Sequence, residues 1–259
     1  MNTLKPLDFL DLPLSLGMIA IAIGLSAWQR LGLEWSLAIA TGRTVAQLIG
    51  VGYLLAIIFT LRNPWGVIAI VGVMVTIAAI VTRNRISKKI PRLLPLIWGS
   101  ILTSTLFTLS YTTLLVIQPT PWYEPQYLIP LAGIVIGHAM NGAAIAGERL
   151  FSTLNASRLE IETHLSLGAS AQQAVATYRK EAIKAGMIPI LNAMMIVGVV
   201  TLPGIITGQL LSGVAPLDAA AYQMLIMFML ALTTLITTFL VTQGLCRQFF
   251  NRAEQLTLP

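Results

Sequence analysis

Long apolar stretches recur along the chain, and short polar segments separate them. About 20 apolar residues in a helix cross a membrane hydrocarbon core about 30 Å thick. We therefore expect an all-α, polytopic membrane helix bundle, organised as a single transmembrane domain over residues 1–259. The pattern predicts about seven transmembrane helices, at 12–29, 44–60, 65–82, 93–117, 127–147, 187–211 and 219–243.

The composition favours a bilayer over a soluble core for these stretches. The chain is 56% hydrophobic and 10% charged, whereas a soluble domain has about 25% charged residues. An apolar excess of this size cannot be buried in one soluble core. The net charge of +6 would suggest a nucleic acid in a soluble protein. In this chain we expect the lipid bilayer as a partner and no nucleic acid.

Lysine and arginine are distributed unequally between the two sets of loops. One side holds only Lys5 and Arg62. Because cytoplasmic loops carry the excess of basic residues, the N-terminus is expected outside and the C-terminus in the cytoplasm. A lipid-headgroup site is the alternative interpretation of the densest cluster, RNRISKKIPR at 83–92. The basic side holds Arg30, Arg43, Arg83, Arg85, Lys88, Lys89, Arg92, Arg149, Arg158, Arg179, Lys180, Lys184, Arg247 and Arg252.

The chain lacks the motifs of a motor or of a hydrolase. No G-x-x-x-x-G-K-[ST] segment occurs, so we expect no ATP hydrolysis and no enzyme activity in this chain. The two histidines, His138 and His164, fall in different segments, and Cys246 is the single cysteine. These residues identify no metal site, so whether the chain binds a metal is left open.

The segment 148–186 is polar, although the rest of the chain is apolar. Ser157 and Glu160 have capping-box spacing, which predicts a helix to about Leu167. Gly168 can end that helix in a left-handed conformation. Ser170 and Gln173 repeat the spacing, and we expect the second helix to end near Gly186. Arg158 and Glu162, like Glu160 and His164, should share a face. Two such helices would lie at the membrane surface and present a docking face.

The predicted span 187–211 contains Pro203–Gly204, where a helix should be broken. A broken helix persists in lipid only where protein or water satisfies the freed backbone groups, so we expect this span inside the bundle. Its other notable polar and thioether residues are Asn192, Met194, Met195 and Gln209. These side chains mix soft and hard ligands and do not identify an ion.

Other polar residues within the spans allow two interpretations each. Arg43 and Gln47 either mark the inner interface or line a path. His138 and Asn141 lie three residues apart and either bond a neighbouring helix or line a path. The serines and threonines of spans 93–117 and 219–243 are typical of helix packing, and a hydroxyl-lined path is the alternative.

Three stretches resemble one known family. They are GRTVAQLIGVGYLL (42–55), ERLFSTLNASRLEIETHLSLGAS (148–170) and MMIVGVVTLPGIITGQLLSG (194–213). In this order, and over nearly the whole chain, they resemble the FetB-type ABC transporter permeases. These are iron-export permeases of bacteria, to which plant proteins linked to aluminium tolerance also belong. Residues 162–168 also resemble the EAA-x-x-x-G coupling motif of importer permeases, from which they depart at Thr163 and His164.

This resemblance implies the permease subunit of an ABC transporter that exports metal ions, iron among them, across the bacterial plasma (inner) membrane. Two copies of the chain would pair with two cytoplasmic FetA-type ATPase subunits. ATP and Mg would bind to those partners, and this chain would bind no cofactor. The expected ATPase-coupling residues are Arg158, Glu160, Glu162, His164 and Gly168. The candidate translocation path comprises Arg43, Gln47, His138, Asn141, Asn192, Met194, Met195, Pro203, Gly204 and Gln209.

Three alternatives stay open at this point. An ABC permease could carry a different cargo, such as a nucleotide sugar, a peptide or another metal. A membrane scaffold could use the polar helices without any transport. A secondary carrier would be expected to keep a buried carboxylate, and no Asp or Glu lies deep in a predicted span.

Overall fold

A computed structural model describes residues 11–61, 63–251 and 255–257, and these residues are mainly α-helical. A π-helical segment, Thr112–Ile117, continues the fourth helix. Within the described ranges there is no β-strand beyond isolated bridges, which agrees with the all-α prediction. The helices are α1 (Asp11–Trp28), α2 (Glu34–Leu61), α3 (Pro64–Ile86), α4 (Leu93–Tyr111), α5 (Pro125–Ala156), α6 (Arg158–Ser166), α7 (Ala171–Ala174), α8 (Ala176–Ile196), α9 (Gly204–Leu211) and α10 (Pro216–Gln248).

Five of the described helical segments are long and apolar enough to cross a membrane. The apolar part of α1, Ser15–Trp28, is shorter, and the predicted span 187–211 is divided between α8 and α9. The membrane character of the chain is therefore clear, while the count of seven spans and the orientation of the termini stay predictions. The five segments are Glu34–Ala56, Pro64–Ile86, Leu93–Ile117, Pro125–Ala156 and Pro216–Gln248.

The chain divides into two compact units, Met1–Arg62 and Asn63–Pro259. In the first unit, α1 and α2 pack against each other across a tight turn. The Ser26 hydroxyl donates to Glu34 Oε1 at 2.8 Å and accepts from the Leu33 N–H at 3.2 Å. These two bonds fix the turn between the helices. The interpretation of residues 1–259 as one transmembrane domain stays a prediction.

In the second unit, α3, α4, α8 and α10 pack around α5. The inward face of α5 is built from small side chains, and Ala132, Ala139, Ala143 and Ala146 are fully buried. Lipid tails are as apolar as leucine, so helices in a bilayer associate through close van der Waals contact rather than through the hydrophobic effect. Small residues along α5 permit that close contact with several neighbours.

A close helix crossing joins α5, α8 and α10 at two glycines. A Cβ atom on Gly186 would lie 2.8 Å from the Gly142 carbonyl oxygen and 2.8 Å from Thr238 Cγ2. A Cβ atom on Gly142 would lie 2.5 Å from Thr234 Cγ2. Only glycine permits this approach of the backbones.

The ends of α3, α5 and α10 meet at the basic end of the second unit. The rings of Phe151 and Phe249 lie 5.9 Å apart, and the Gln248 side-chain amide donates to the Arg92 carbonyl at 3.4 Å. The basic residues 83–92, Arg149 and Arg247 belong to this end of the bundle. Their common location is consistent with the charge pattern from which the topology was predicted.

Candidate translocation pathway and docking segment

The broken span is interrupted between α8 and α9. After Ile196 the backbone turns, and the Ile196 carbonyl accepts from the N–H groups of Val200 and Thr201 at 2.9 and 3.3 Å. Gly198 adopts a positive φ of 82° within this turn. Pro203 then occupies the N-cap position of α9. The predicted break is confirmed, but the helix ends seven residues before Pro203, and the proline starts the next helix.

A cavity of about 500 Å³ adjoins this break, between α5, α8, α9 and α10. The cavity is lined by the imidazole-bearing His138 of α5 and, at the break itself, by Thr201, Pro203 and Gly204. The structure thus brings together three of the residues predicted for the path: His138, Pro203 and Gly204. The remaining lining side chains are Ile134, Ile190, Ala193, Ile205, Gln223, Ile226, Met227 and Leu230.

Gln223 is the most unusual residue of this cavity. It lies about two turns after α10 begins, and only 5% of its surface is exposed. Its Oε1 atom is buried and accepts no hydrogen bond from any described residue. Buried polar groups are nearly always paired, so an unpaired amide indicates a position that meets a ligand or a moving group.

A second cavity of about 220 Å³ lies on another side of the same break. Gln223, Pro203 and Met227 line both cavities, and Met194 lines the second. Met194 therefore belongs to the break region, as predicted. Thioether side chains are adaptable, so this lining can change shape at little cost.

The other predicted path residues of the second unit lie away from the larger cavity. Asn141 is exposed, and its Oδ1 accepts from Arg85 Nη1 at 3.5 Å. Asn192 and Met195 are exposed on α8. Gln209 lies on α9, where its Oε1 is buried without a hydrogen-bond partner among the described residues. Of the pair predicted to act together, His138 and Asn141, only His138 lines the cavity.

Arg43 and Gln47 lie on α2, in the first unit, and both side chains are exposed. Neither residue forms an ion pair or a side-chain hydrogen bond within the described part of the chain. Their assignment to the translocation path stays a prediction.

The predicted docking segment contains the helix α6, which is held to the bundle by one buried residue. Ile161 is fully buried in the core, whereas Leu159 and Leu167 are 78% and 80% exposed. Arg158 Nε lies 2.8 Å from Glu162 Oε1, so this predicted pairing is confirmed. An exposed face with two large leucines on a polar helix is typical of a protein-binding surface.

The carboxylate of Glu160, on α6, lies near side chains of both its own helix and α8. It lies 3.9 Å from His164 Nε2 on its own helix, and it accepts a hydrogen bond from the Tyr178 hydroxyl. Partial burial, and then this bond to Glu160, raise the pKa of Tyr178, so the hydroxyl stays a donor at neutral pH. Glu160 therefore joins α6 to α8 within the chain, in addition to any contact with a partner.

The helix starts and ends predicted for this segment are confirmed in part. Gly168 has a positive φ of 92°, and Ser170 and Gln173 form a complete capping box, as predicted. Ser157 makes no capping bond; its hydroxyl bonds to Tyr178 instead. The expected helix end at Gly186 is wrong, because α8 continues past it to Ile196. Gly186 serves the close crossing with α5 rather than a helix end.

Sequence reasoning missed Gln223, Thr201 and Tyr178. Gln223 is an isolated amide in the apolar first half of α10, and Thr201 precedes the Pro203–Gly204 pair by only two residues. A signal for Gln223 did exist, since a polar residue inside a lipid span is costly and is often functional. Nothing local in the sequence indicates the contact of Tyr178 with Glu160.

The chain matches known proteins along nearly its whole length. The family described as "Uncharacterised protein family (UPF0014)" matches residues 9–250. A UPF0014 membrane protein of Synechocystis is 49% identical over 255 residues, which cover 98% of this chain and 98% of that protein. No solved structure matches the chain.

Two further relatives have descriptive names. The Escherichia coli protein named "Probable iron export permease protein FetB" is 30% identical over 248 residues, 96% of this chain and 94% of that protein. The Arabidopsis thaliana protein named "ALUMINUM SENSITIVE 3" is 30% identical over 242 residues, 93% of this chain and 87% of that protein. The resemblance to FetB-type permeases and their plant relatives is thereby confirmed.

Proposed function

The chain belongs to the UPF0014 family of membrane proteins, and on this premise we propose that it is the permease subunit of an ABC transporter. It exports metal ions, iron among them, across the bacterial inner membrane. A separate cytoplasmic ATPase binds and hydrolyses the ATP, with Mg, and two permease copies form the membrane part. The name of the Escherichia coli relative supports the cargo and the direction.

The observation that carries this proposal is the continuity of α8. This helix starts beside the docking segment, at Ala176, and ends at the break, at Ile196. Its 21 residues span roughly 30 Å, about the thickness of a bilayer core. Ile190 and Ala193, near its far end, line the larger cavity. One continuous helix thus connects a surface suited to a soluble partner with a cavity inside the bundle.

The mechanism follows from this connection. Closure of the ATPase dimer displaces α6, whose buried Ile161 and whose Glu160–Tyr178 contact transmit the movement to the core and to α8. The close crossing at Gly142 and Gly186 acts as the contact about which α8 tilts against α5. The turn at 197–203 absorbs the tilt, because no helical ladder has to break there. The cavity then opens to one face of the membrane and later to the other.

The test is binding of the partner ATPase to a purified variant, Leu167→Asp. A charge at this exposed position should disrupt an apolar contact while leaving the fold intact, and we expect ATPase binding at least about tenfold weaker. Leu217→Asp is the matched control. Leu217 is similarly exposed, at 85%, but it lies in the first turn of α10, at the end of that helix opposite to the basic end of the bundle. Full ATPase binding and transport by Leu167→Asp, or by Glu162→Arg or Gly168→Trp, would overturn the docking assignment.

The cargo is identified in vesicles that contain the chain and its ATPase. Candidate substrates are added one at a time, and both the stimulation of ATP turnover and the movement of the substrate are measured. We expect iron to stimulate turnover and to move. If turnover responds to a nucleotide sugar or a peptide instead, the metal assignment is overturned while the permease assignment stands.

A further inference from the structure

The Oε1 atom of Gln223 has no hydrogen-bond partner among the described residues, although this residue is almost fully buried. Leaving a buried acceptor unpaired costs about 1–3 kcal/mol. Replacement by an apolar residue would remove that cost, so packing alone does not account for a glutamine here. Gln223 lines the cavity at the break, and a ligand bound there can supply the missing interaction.

Three side chains that carry different donor atoms line this cavity. His138 supplies an imidazole nitrogen from α5, and Gln223 and Met227 supply an amide oxygen and a thioether sulfur from α10. Gln223 and Met227 are four residues apart and therefore share one face of α10. Thr201, in the turn at the break, lines the cavity as well. None of the residues that line the cavity carries a carboxylate.

We propose that this cavity is the cargo coordination site, and that His138, Gln223 and Met227 bind a borderline divalent transition-metal cation in it. The inference rests on the proposed transport function, which it extends by naming the site and the class of cargo. Imidazole nitrogen suits iron, zinc, copper and nickel, and thioether sulfur favours softer ions still. Hard cations such as magnesium and aluminium need several carboxylate or water oxygens, which the lining does not provide.

The neutrality of the lining suits transport better than storage. Among the described residues there is no group of three His, Cys, Asp or Glu side chains that could hold a metal tightly. A conducting site must attract its ion and also release it. One nitrogen, one oxygen and one sulfur, all uncharged, give a site of moderate affinity. The carbonyl end of α8, which Ala193 brings to the cavity, adds a favourable negative dipole.

The test is a titration of the purified full-length chain in lipid nanodiscs with cobalt(II), without the ATPase. Cobalt bound to nitrogen and sulfur ligands absorbs visible light, so binding and ligand type are observed together. We expect saturable binding by the unmodified chain and no competition from magnesium. In Gln223→Leu and in His138→Phe, binding should weaken at least about tenfold, as the loss of a ligand requires.

Gln248→Leu is the matched control. Gln248 also has a buried Oε1 atom without a hydrogen-bond partner among the described residues, but it lies at the other end of α10 and does not line the cavity, so cobalt binding should be unchanged in this variant. Equal binding by Gln223→Leu and the unmodified chain would overturn the proposed site, even if transport is intact. Loss of binding in Gln223→Leu, in a chain that shows no ATPase-dependent transport, would leave the site standing and refute the transport function.

Discussion

The seam between α4 and α10 and the break between α8 and α9 both bury polar side chains, but they treat them differently. In the seam, Thr233 Oγ1 lies 2.6 Å from Thr108 Oγ1, and Thr237 Oγ1 lies 2.6 Å from Ser104 Oγ. At the break, the Oε1 atom of Gln223 has no hydrogen-bond partner in the described chain. The same bundle therefore pairs these hydroxyl groups across the seam and leaves the Gln223 oxygen at the break unpaired.

This difference distinguishes polar side chains that stabilise helix packing from polar side chains that are available to a ligand. Hydroxyl pairs across two helices stabilise the seam, which agrees with the packing interpretation of these serines and threonines. Thr105 Oγ1 is the one hydroxyl of this seam whose oxygen is buried without a partner in the part of the chain that is described. The break, by contrast, adjoins the Oε1 atom of Gln223, which costs stability unless something else binds it. We infer that the seam maintains the fold and that the break carries the function.

The largest expected effect is at the close crossing of α5, α8 and α10. Of these helices, α10 belongs to the seam and α8 ends at the break. Gly186→Ala should destabilise the chain by about 1–3 kcal/mol, because the new methyl group overlaps Gly142 and Thr238. The measurement is the midpoint of SDS-induced unfolding in mixed micelles. Gly72→Ala is the control, since nothing lies within 4 Å of a Cβ atom there. Equal midpoints for the two variants would show that the crossing tolerates a side chain.

A smaller effect of opposite sign is expected at the break. Gln223→Leu should stabilise the apo chain by about 1 kcal/mol, because it removes a buried amide without a partner. The same unfolding measurement applies, in the absence of metal. A loss of stability would mean that the amide already has a structural partner, and the contrast with the seam would fail.

The smallest effect is expected for one hydroxyl pair of the seam. Thr237→Val and Ser104→Ala should each destabilise the chain, and their double-mutant cycle should give a coupling energy of about 0.6 kcal/mol. Thr41→Val is a control for a hydroxyl that bonds only its own helix, at the Leu37 carbonyl. A coupling energy of zero would mean that this hydroxyl pair does not stabilise the seam and that α4 and α10 associate through shape complementarity alone.

The sequence predicted the features that depend on local patterns. Apolar runs identified the long helices, and Gly168 and the Ser170–Gln173 pair were interpreted correctly because turn and cap geometry involve only neighbouring residues. The pairing of Arg158 with Glu162 follows from helix periodicity in the same way. The break near Pro203 was predicted because proline and glycine act on their own backbone.

The features that depend on distant contacts were not predictable. Gly186 carries the same local signal for a helix end as for a close crossing, and only its contact with Gly142 distinguishes the two. Ser157 has cap spacing but bonds to Tyr178 instead. Gln223 and His138 are 85 positions apart in the sequence, and only tertiary packing places both of them in the lining of one cavity. Sequence therefore indicated that a break exists, and the structure was required to identify the residues that face it.

The central claim is that this chain provides the path and a separate ATPase provides the energy. The most direct measurement is the movement of Fe²⁺ across proteoliposomes that contain the chain with its partner ATPase. The account predicts transport against a gradient only when ATP and both proteins are present, with loss of transport in Gln223→Leu and retention in Gln248→Leu. Transport by the chain alone at the full rate, without ATP, would contradict it.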